Sequence, residues 1–325
     1  MLRKLLIATT ILFFEITSYA NAENLQSLIN KAKEGSVVNL QKKVYKGGIV
    51  INKTITLNCN GATIDALGKK DVVVIKMANN VVLRNCILVN SGSSGWRMDA
   101  GIKLVGAKKA KILNNKIKNC LYGIIAKNAR GILIKNNKIS SKPYSEGVKG
   151  DAIRLWWSGN SKVVGNYIHD SRDVVSIFSN NVVFDSNKVV NSHIGTMIQN
   201  SKGNKIINCE SLNNEVGILL NSAEDTDIEK FVVKDSKKYR GIVLVRASNT
   251  HIKNGKIENC RKGVVFNLSP AKSGTKNYID NVKFINNLIG IYLHTTAKQR
   301  SRNVIENVKY FNNKTNLMDE WKTHE

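Results

Sequence analysis

The sequence predicts an all-β chain wound as a right-handed parallel β-helix of about ten to twelve turns, with a short N-terminal capping helix. Three observations predict it. A residue that opens an apolar strand recurs at Gly101, Gly123, Ala152, Val174, Gly195, Gly217, Gly241, Gly263 and Gly290, mostly at intervals of 21 to 24 residues. A fixed period of that size marks a stacked solenoid, in which each turn buries its apolar side against its neighbours. The units are rich in Ile, Val and Asn, where a leucine-rich repeat would need a Leu consensus. Two prolines and 23 glycines in 325 residues suit short strands joined by tight corners.

Residues 1–22 have the marks of a secretory signal: Arg3 and Lys4, an apolar run over 5–14, and Ala20-Asn21-Ala22 as a small-x-small cleavage site. The expected mature protein is therefore secreted, to the periplasm or outside the cell, with the periplasm as the expected location. Residues 23–35 place Leu25, Leu28, Ile29 and Ala32 on one helical face before Gly35 stops the helix. Such a helix would cover the first open turn, as a solenoid end requires. The β-helix is expected over 36–315, with 316–325 as a short charged tail. Its first turns, up to residue 71, contain the short strands VVNL, GIVI, TITL and ATID.

Successive strand side chains face opposite ways, which sorts each turn into lumen and surface. The expected lumen column is Ile102/Leu104, Ile124/Ala126, Ile153/Leu155, Val175/Ile177, Thr196/Ile198, Ile218/Leu220, Ile242/Leu244, Val264/Phe266 and Ile291/Leu293. A second strand turns Ile117, Ile139, Ile168, Val189, Ile257 and Phe284 inward, and sets Lys116, Lys138, Lys188, Lys256 and Lys283 in a basic stripe outside. The stripe is either a solvated face or a track for an anionic chain or partner. Asn115, Asn137, Asn166 and Asn187 share one corner and predict a ladder of stacked amides. Cys59, Cys86, Cys120, Cys209 and Cys260 lack a CxxC or zinc spacing and read as small buried ladder residues, with a disulfide or metal role as the alternative.

The net charge of +26 favours acidic polymers, anionic lipid surfaces or an acidic protein partner. Sparse aromatics and the secretory signal argue against nucleic acid. Two insertions, 91–100 and 140–150, lengthen turns at the same corner, where solenoids commonly add function. Beside them the outward face of the anchor strands is unusually apolar. Arg154, Trp156, Phe178 and Met197 are expected to come together there, with Asp99, Asp151, Arg172 and Asp173 at the strand starts. Trp beside Arg is the pairing that dominates interface hot spots.

Three chemistries could use this face. A lyase or epimerase on an anionic polysaccharide would need a base beside a neutralised carboxylate, and Arg154, Arg172, His169, Asp151 and Asp173 are the residues to cast; no carboxylate cluster indicates calcium. Metal binding would draw on His169, His193 and Met197, donors that suit copper. A binding scaffold needs no catalytic spacing, and the residues meet its requirements directly. A Ser-His-Asp triad, a phosphate loop and a dinucleotide fingerprint are all missing from the sequence.

The extended turn ending in DAGIKL, the stretch GDAIRLWWSGNSKVVGN and the following SRDVVSIFSNN resemble the NosD family of periplasmic β-helix proteins, over about residues 24–300. The resemblance implies a pectate-lyase-like solenoid of the class that includes carbohydrate-binding proteins and sugar hydrolases. It further implies a non-enzymatic role in assembling the copper centres of nitrous-oxide reductase, with an ABC transporter and a periplasmic client as partners and copper as the metal. The residues that carry it are Asp151, Arg154, Trp156, Arg172 and Asp173. The next turn, HIGTMIQNS, keeps Met197 but places His193 earlier than the family's pattern.

Overall fold

A computed structural model describes residues 24–236 and 238–320; the expected signal segment and the last five residues lie outside the described residues. The chain coils as a parallel β-helix with three strand stacks. One is a 12-stranded parallel sheet that starts at Ile49–Ile51 and ends at Thr315–Asp319. The other two form ladders that merge where Ser248–Glu258 and Asn277–Ile285 run through both. Thr315–Asp319 pairs with Ile289–His294, so the first four residues of the segment expected as a tail belong to the closing strand.

The lumen holds the predicted columns. Ile102, Leu104, Ile124, Ala126, Ile153 and Leu155 are fully enclosed, as are Ile117, Ile139 and Ile168 on the second stack. Anchor glycines arise from backbone crowding between turns. A Cβ on Gly123 would stand 2.3 Å from the Ala152 carbonyl oxygen and 2.7 Å from the Ile139 side chain.

One turn departs from the expected register. Ile153 pairs with Val174, Arg154 with Val175, and Trp156 with Ile177, so Val174 and Ser176 face the lumen while Val175 and Ile177 face outward. A bulge between Asp173 and Val175 then restores the alignment with Ile194 and Met197. A one-residue slip inverts every side chain of a strand, and it moves Phe178 off the sheet to the corner beyond.

Polar ladders seal the corners. Asn115 Nδ2 donates to Asn137 Oδ1 at 3.0 Å, Asn137 to Asn166 at 3.0 Å and Asn166 to Asn187 at 2.9 Å, and each acceptor oxygen also takes the backbone N–H of the residue before it in the stack. Ser158, Ser179 and Ser201 do the same at another corner through hydroxyl acceptors. Cys59 and Cys86, expected as plain ladder residues, form a disulfide between adjacent turns with Cα atoms 4.8 Å apart; Cys120, Cys209 and Cys260 are free and buried.

The capping helix spans Leu25–Lys31, with Asn24 accepting from the Gln26 N–H and with Leu25 and Ile29 buried against the first turn. The Gln26 amide donates to the Val50 carbonyl and accepts from the Val50 N–H, at 2.9 and 2.7 Å. It thereby stands in for a neighbouring strand on the outermost rung of the 12-stranded sheet.

Candidate functional site

The site is the outward face of the 12-stranded sheet with its two bordering corners. Its floor runs Lys103, Ile125, Arg154, Val175, Met197, Leu219 in one column and Val105, Lys127, Trp156, Ile177, Gln199, Asn221 in the next. Arg154, Trp156 and Met197 lie on this one face, with Val175 on the rung between Arg154 and Met197. Phe178 does not: it leaves the sheet at the downstream corner. The floor is less open than its composition implies, because Ile125 and Val175 are only 1% and 2% exposed. Long cationic side chains lie over apolar neighbours. Lys127 Nζ sits 4.8 Å from the Trp156 ring centre and the Arg154 guanidinium 5.7 Å from that of Tyr122.

The upstream corner carries a row of buried carboxylates, each already held. Asp99 takes a forked pair from Arg97, at 3.2 and 3.0 Å, and the Ser94 N–H at 2.9 Å. Asp151 accepts from Arg154 Nε at 2.5 Å. Burial outweighs that guanidinium and pushes the Asp151 carboxyl up to about 6, with the nearby Asp173 charge adding to the rise. Asp173 accepts from the Ile194 N–H and meets His193 Nδ1 at 2.9 Å, which raises the His193 pKa. Arg172 lies 3.5 Å from Asp173, and Glu215 is 3.9 Å from His193 Nε2 and 3.0 Å from Lys238. The two long loops meet above this row, where the Ser93 hydroxyl bonds the Tyr144 hydroxyl at 2.9 Å.

The proposed metal donors are not assembled. His169 Nδ1 is taken up by Asp170 at 2.7 Å on the second stack, and His193 by Asp173 at the upstream corner. Met197 stands between Val175 and Leu219. Among the described residues no group of three or more His, Cys, Asp or Glu can hold a metal ion, so these donors do not fit a preformed copper seat.

The lysine stripe is present as one row, Lys116, Lys138, Tyr167, Lys188, Glu210, Val232, Lys256, Lys283 and Lys309. It is partly neutralised, by Lys188–Glu210 at 2.8 Å and Lys256–Glu258 at 2.6 Å. Three residues not singled out by the sequence belong to the site: Arg97, Tyr122 and Trp157. Trp157 stacks on Phe178 at the downstream corner, with ring centres 4.4 Å apart and planes 11° from parallel. The signal that could have found it is positional, since Trp157 follows its strand where the two preceding turns place Gly106 and Asn128.

Comparison with known proteins bears on this arrangement. Residues 47–192 match a family described as the right-handed β-helix region. A protein of Stutzerimonas stutzeri named "Probable ABC transporter binding protein NosD" is 27% identical over 135 residues, 40% of this chain and 30% of that relative, so the chain spans less than a third of that relative's length. Among solved structures, the periplasmic alginate epimerase AlgG superposes with a TM-score of 0.64 at 14% identity, over 88% of this chain and 82% of that one. A family 28 exopolygalacturonase of Yersinia enterocolitica gives 0.64 at 10% identity, over 90% and 73%. At such identities the likeness is one of fold. Residues 143–325, more than half of the chain and the part that holds Asp151, Arg154, Trp156 and Asp173, match the family described as "Periplasmic copper-binding protein (NosD)", and the chain belongs to that family.

Proposed function

We propose that this protein is a periplasmic, non-enzymatic scaffold that works with an ABC transporter in assembling the copper centres of nitrous-oxide reductase, and that the Arg154/Trp156/Met197 wall is where its protein partner docks. The observation that carries the reading is the state of the buried carboxylates. Asp99, Asp151 and Asp173 are each engaged by a cation or a backbone N–H and are at most 6% exposed. They fix the positions of Arg97, Arg154 and His193 along the upstream edge of the wall, and none of the three carboxylates is free as a general base. Arg and Trp over an apolar floor are the groups that anchor protein interfaces. The wall itself is assigned no copper ligand. The alternative, a lyase or epimerase on an anionic polysaccharide, needs Asp151 or Asp173 to reach a substrate proton, and their burial weighs against it.

The test is the pair Arg154→Ala and Trp156→Ala in a strain whose reductase depends on this protein, with circular dichroism confirming the fold. Loss of partner capture and at least a tenfold drop in copper-loaded reductase are expected. Unchanged maturation would overturn the proposal, and unsaturated or epimerised uronates released from alginate or pectate would favour the enzyme instead.

A further inference from the structure

The downstream corner holds a groove of about 520 Å³ lined by Asn128, Arg130, Trp157, Asn160, Phe178 and Asn180, among others. Its aromatic pair stands at the turn that follows the sheet strands. Trp157 and Phe178 have φ of +54° and +48°, the left-handed region that bulky residues avoid. In the same column the adjacent turns use Gly106, Asn128, Asn200 and Ser222, while Met77, Arg246 and Leu268 adopt the same conformation farther along. Both rings are well exposed, at 51% and 39%, so they seal no core. Two exposed rings stacked on one another in the wall of a groove, away from the core, point to a use for the side chains.

Geometry indicates what the rings receive. Turns repeat at about 4.8 Å, close to the 4.4 Å between the two ring centres. The next rung up is Asn128, whose side chain is short, so the outer face of Trp157 has space for one more ring at stacking distance. Gly159 keeps the floor flat, since a Cβ there would stand 2.6 Å from the Asn180 carbonyl oxygen. Amides of Asn128, Asn160 and Asn180 border the space, as hydroxyl groups require. The groove's charge is one-sided: Arg130 lines it, Lys108 lies beside Arg130 in the adjacent turn, and no carboxylate is among the lining residues.

We infer that this corner is a saccharide-binding site for an oligosaccharide of hexuronate units, with a pyranose C–H face stacked on Trp157 and a carboxylate on Arg130. It is separate from the docking wall and does not depend on that reading. The test is calorimetric titration of the full chain with trigalacturonate and trimannuronate, using maltotriose as the neutral control. At least one uronate trimer should bind, and more tightly than maltotriose. Trp157→Asn, which installs a residue suited to this backbone, should weaken uronate binding at least tenfold while leaving the melting temperature unchanged or higher. Arg130→Gln should weaken uronate binding and leave the weak maltotriose signal unmoved. No uronate binding at millimolar concentrations, equal affinity for maltotriose, or a Trp157→Asn variant that either keeps full affinity or melts lower would each overturn the assignment.

Discussion

Asp151 gives the most exacting check on the candidate site. Its carboxyl is nearly sealed from solvent, and burial raises its pKa from the ordinary 3.8 to about 6 in spite of Arg154. A group that is harder to ionise when folded makes the native state hold more protons than the unfolded chain between those two values, so stability must fall as pH rises through that window. A rise of about two pK units at 1.36 kcal/mol each corresponds to about 3 kcal/mol. Asp151→Asn keeps the shape and removes the titration. The difference in unfolding free energy between the two proteins, measured by urea titration at matched pH, should therefore shift by about 2 kcal/mol from pH ~4 to pH ~7, with the wild type losing ground as pH rises. Arg154 retains solvent access in the variant, its side chain being 25% exposed, so its loss of partner adds an offset that is constant over this range. A difference that stays flat across the window would refute the placement of Asp151 as a buried, ionisation-resistant carboxyl.

Replacing Cys59 and Cys86 together by Ser opens a loop of 27 residues and should lower stability by about 3 kcal/mol; a reductant should lower the melting temperature of the wild type by a similar margin and leave the variant unmoved. Asn137→Ala strips an inner rung of a fully buried amide ladder, leaving the Asn115 N–H without its acceptor and the Ile112 carbonyl without the Asn137 donor. It should lower stability by about 3 kcal/mol by urea titration, at about 1 to 3 kcal/mol per orphaned buried group.

The lumen was legible from sequence because its residues are hydrocarbon at every second position of each strand, turn after turn. The slip at 173–177 was not, because VVSI offers apolar residues in both phases. Alternation alone selects Val175 and Ile177, the greasier pair. The chain instead turns Val174 and Ser176 inward, where the Ser176 hydroxyl is within 3.4 Å of the Ser179 carbonyl oxygen, and lets Val175 and Ile177 extend the outward floor. Phe178 is then carried to the corner and onto Trp157. Alternation placed Trp156 over the floor but gave no role to Trp157, which stands at the turn. The Cys59–Cys86 bridge was hidden for a related reason: it lies in the irregular early turns, where no repeat position pairs the two residues. The state of the acids was beyond sequence as well, since Asp151 and Asp173 look alike until their partners across the turns are known.

One small contact at the N-terminal end has a consequence for solubility. A coil of parallel strands hands each unpaired backbone rung to its own successor, and only an end lacks one. By lending its carboxamide to both polar groups of Val50, Gln26 removes the purchase that another molecule's strand would use to begin head-to-tail growth. On this one of the three stacks, a single side chain thus occupies the kind of open edge that Val37–Asn39 and Val44–Lys46 present on the other two.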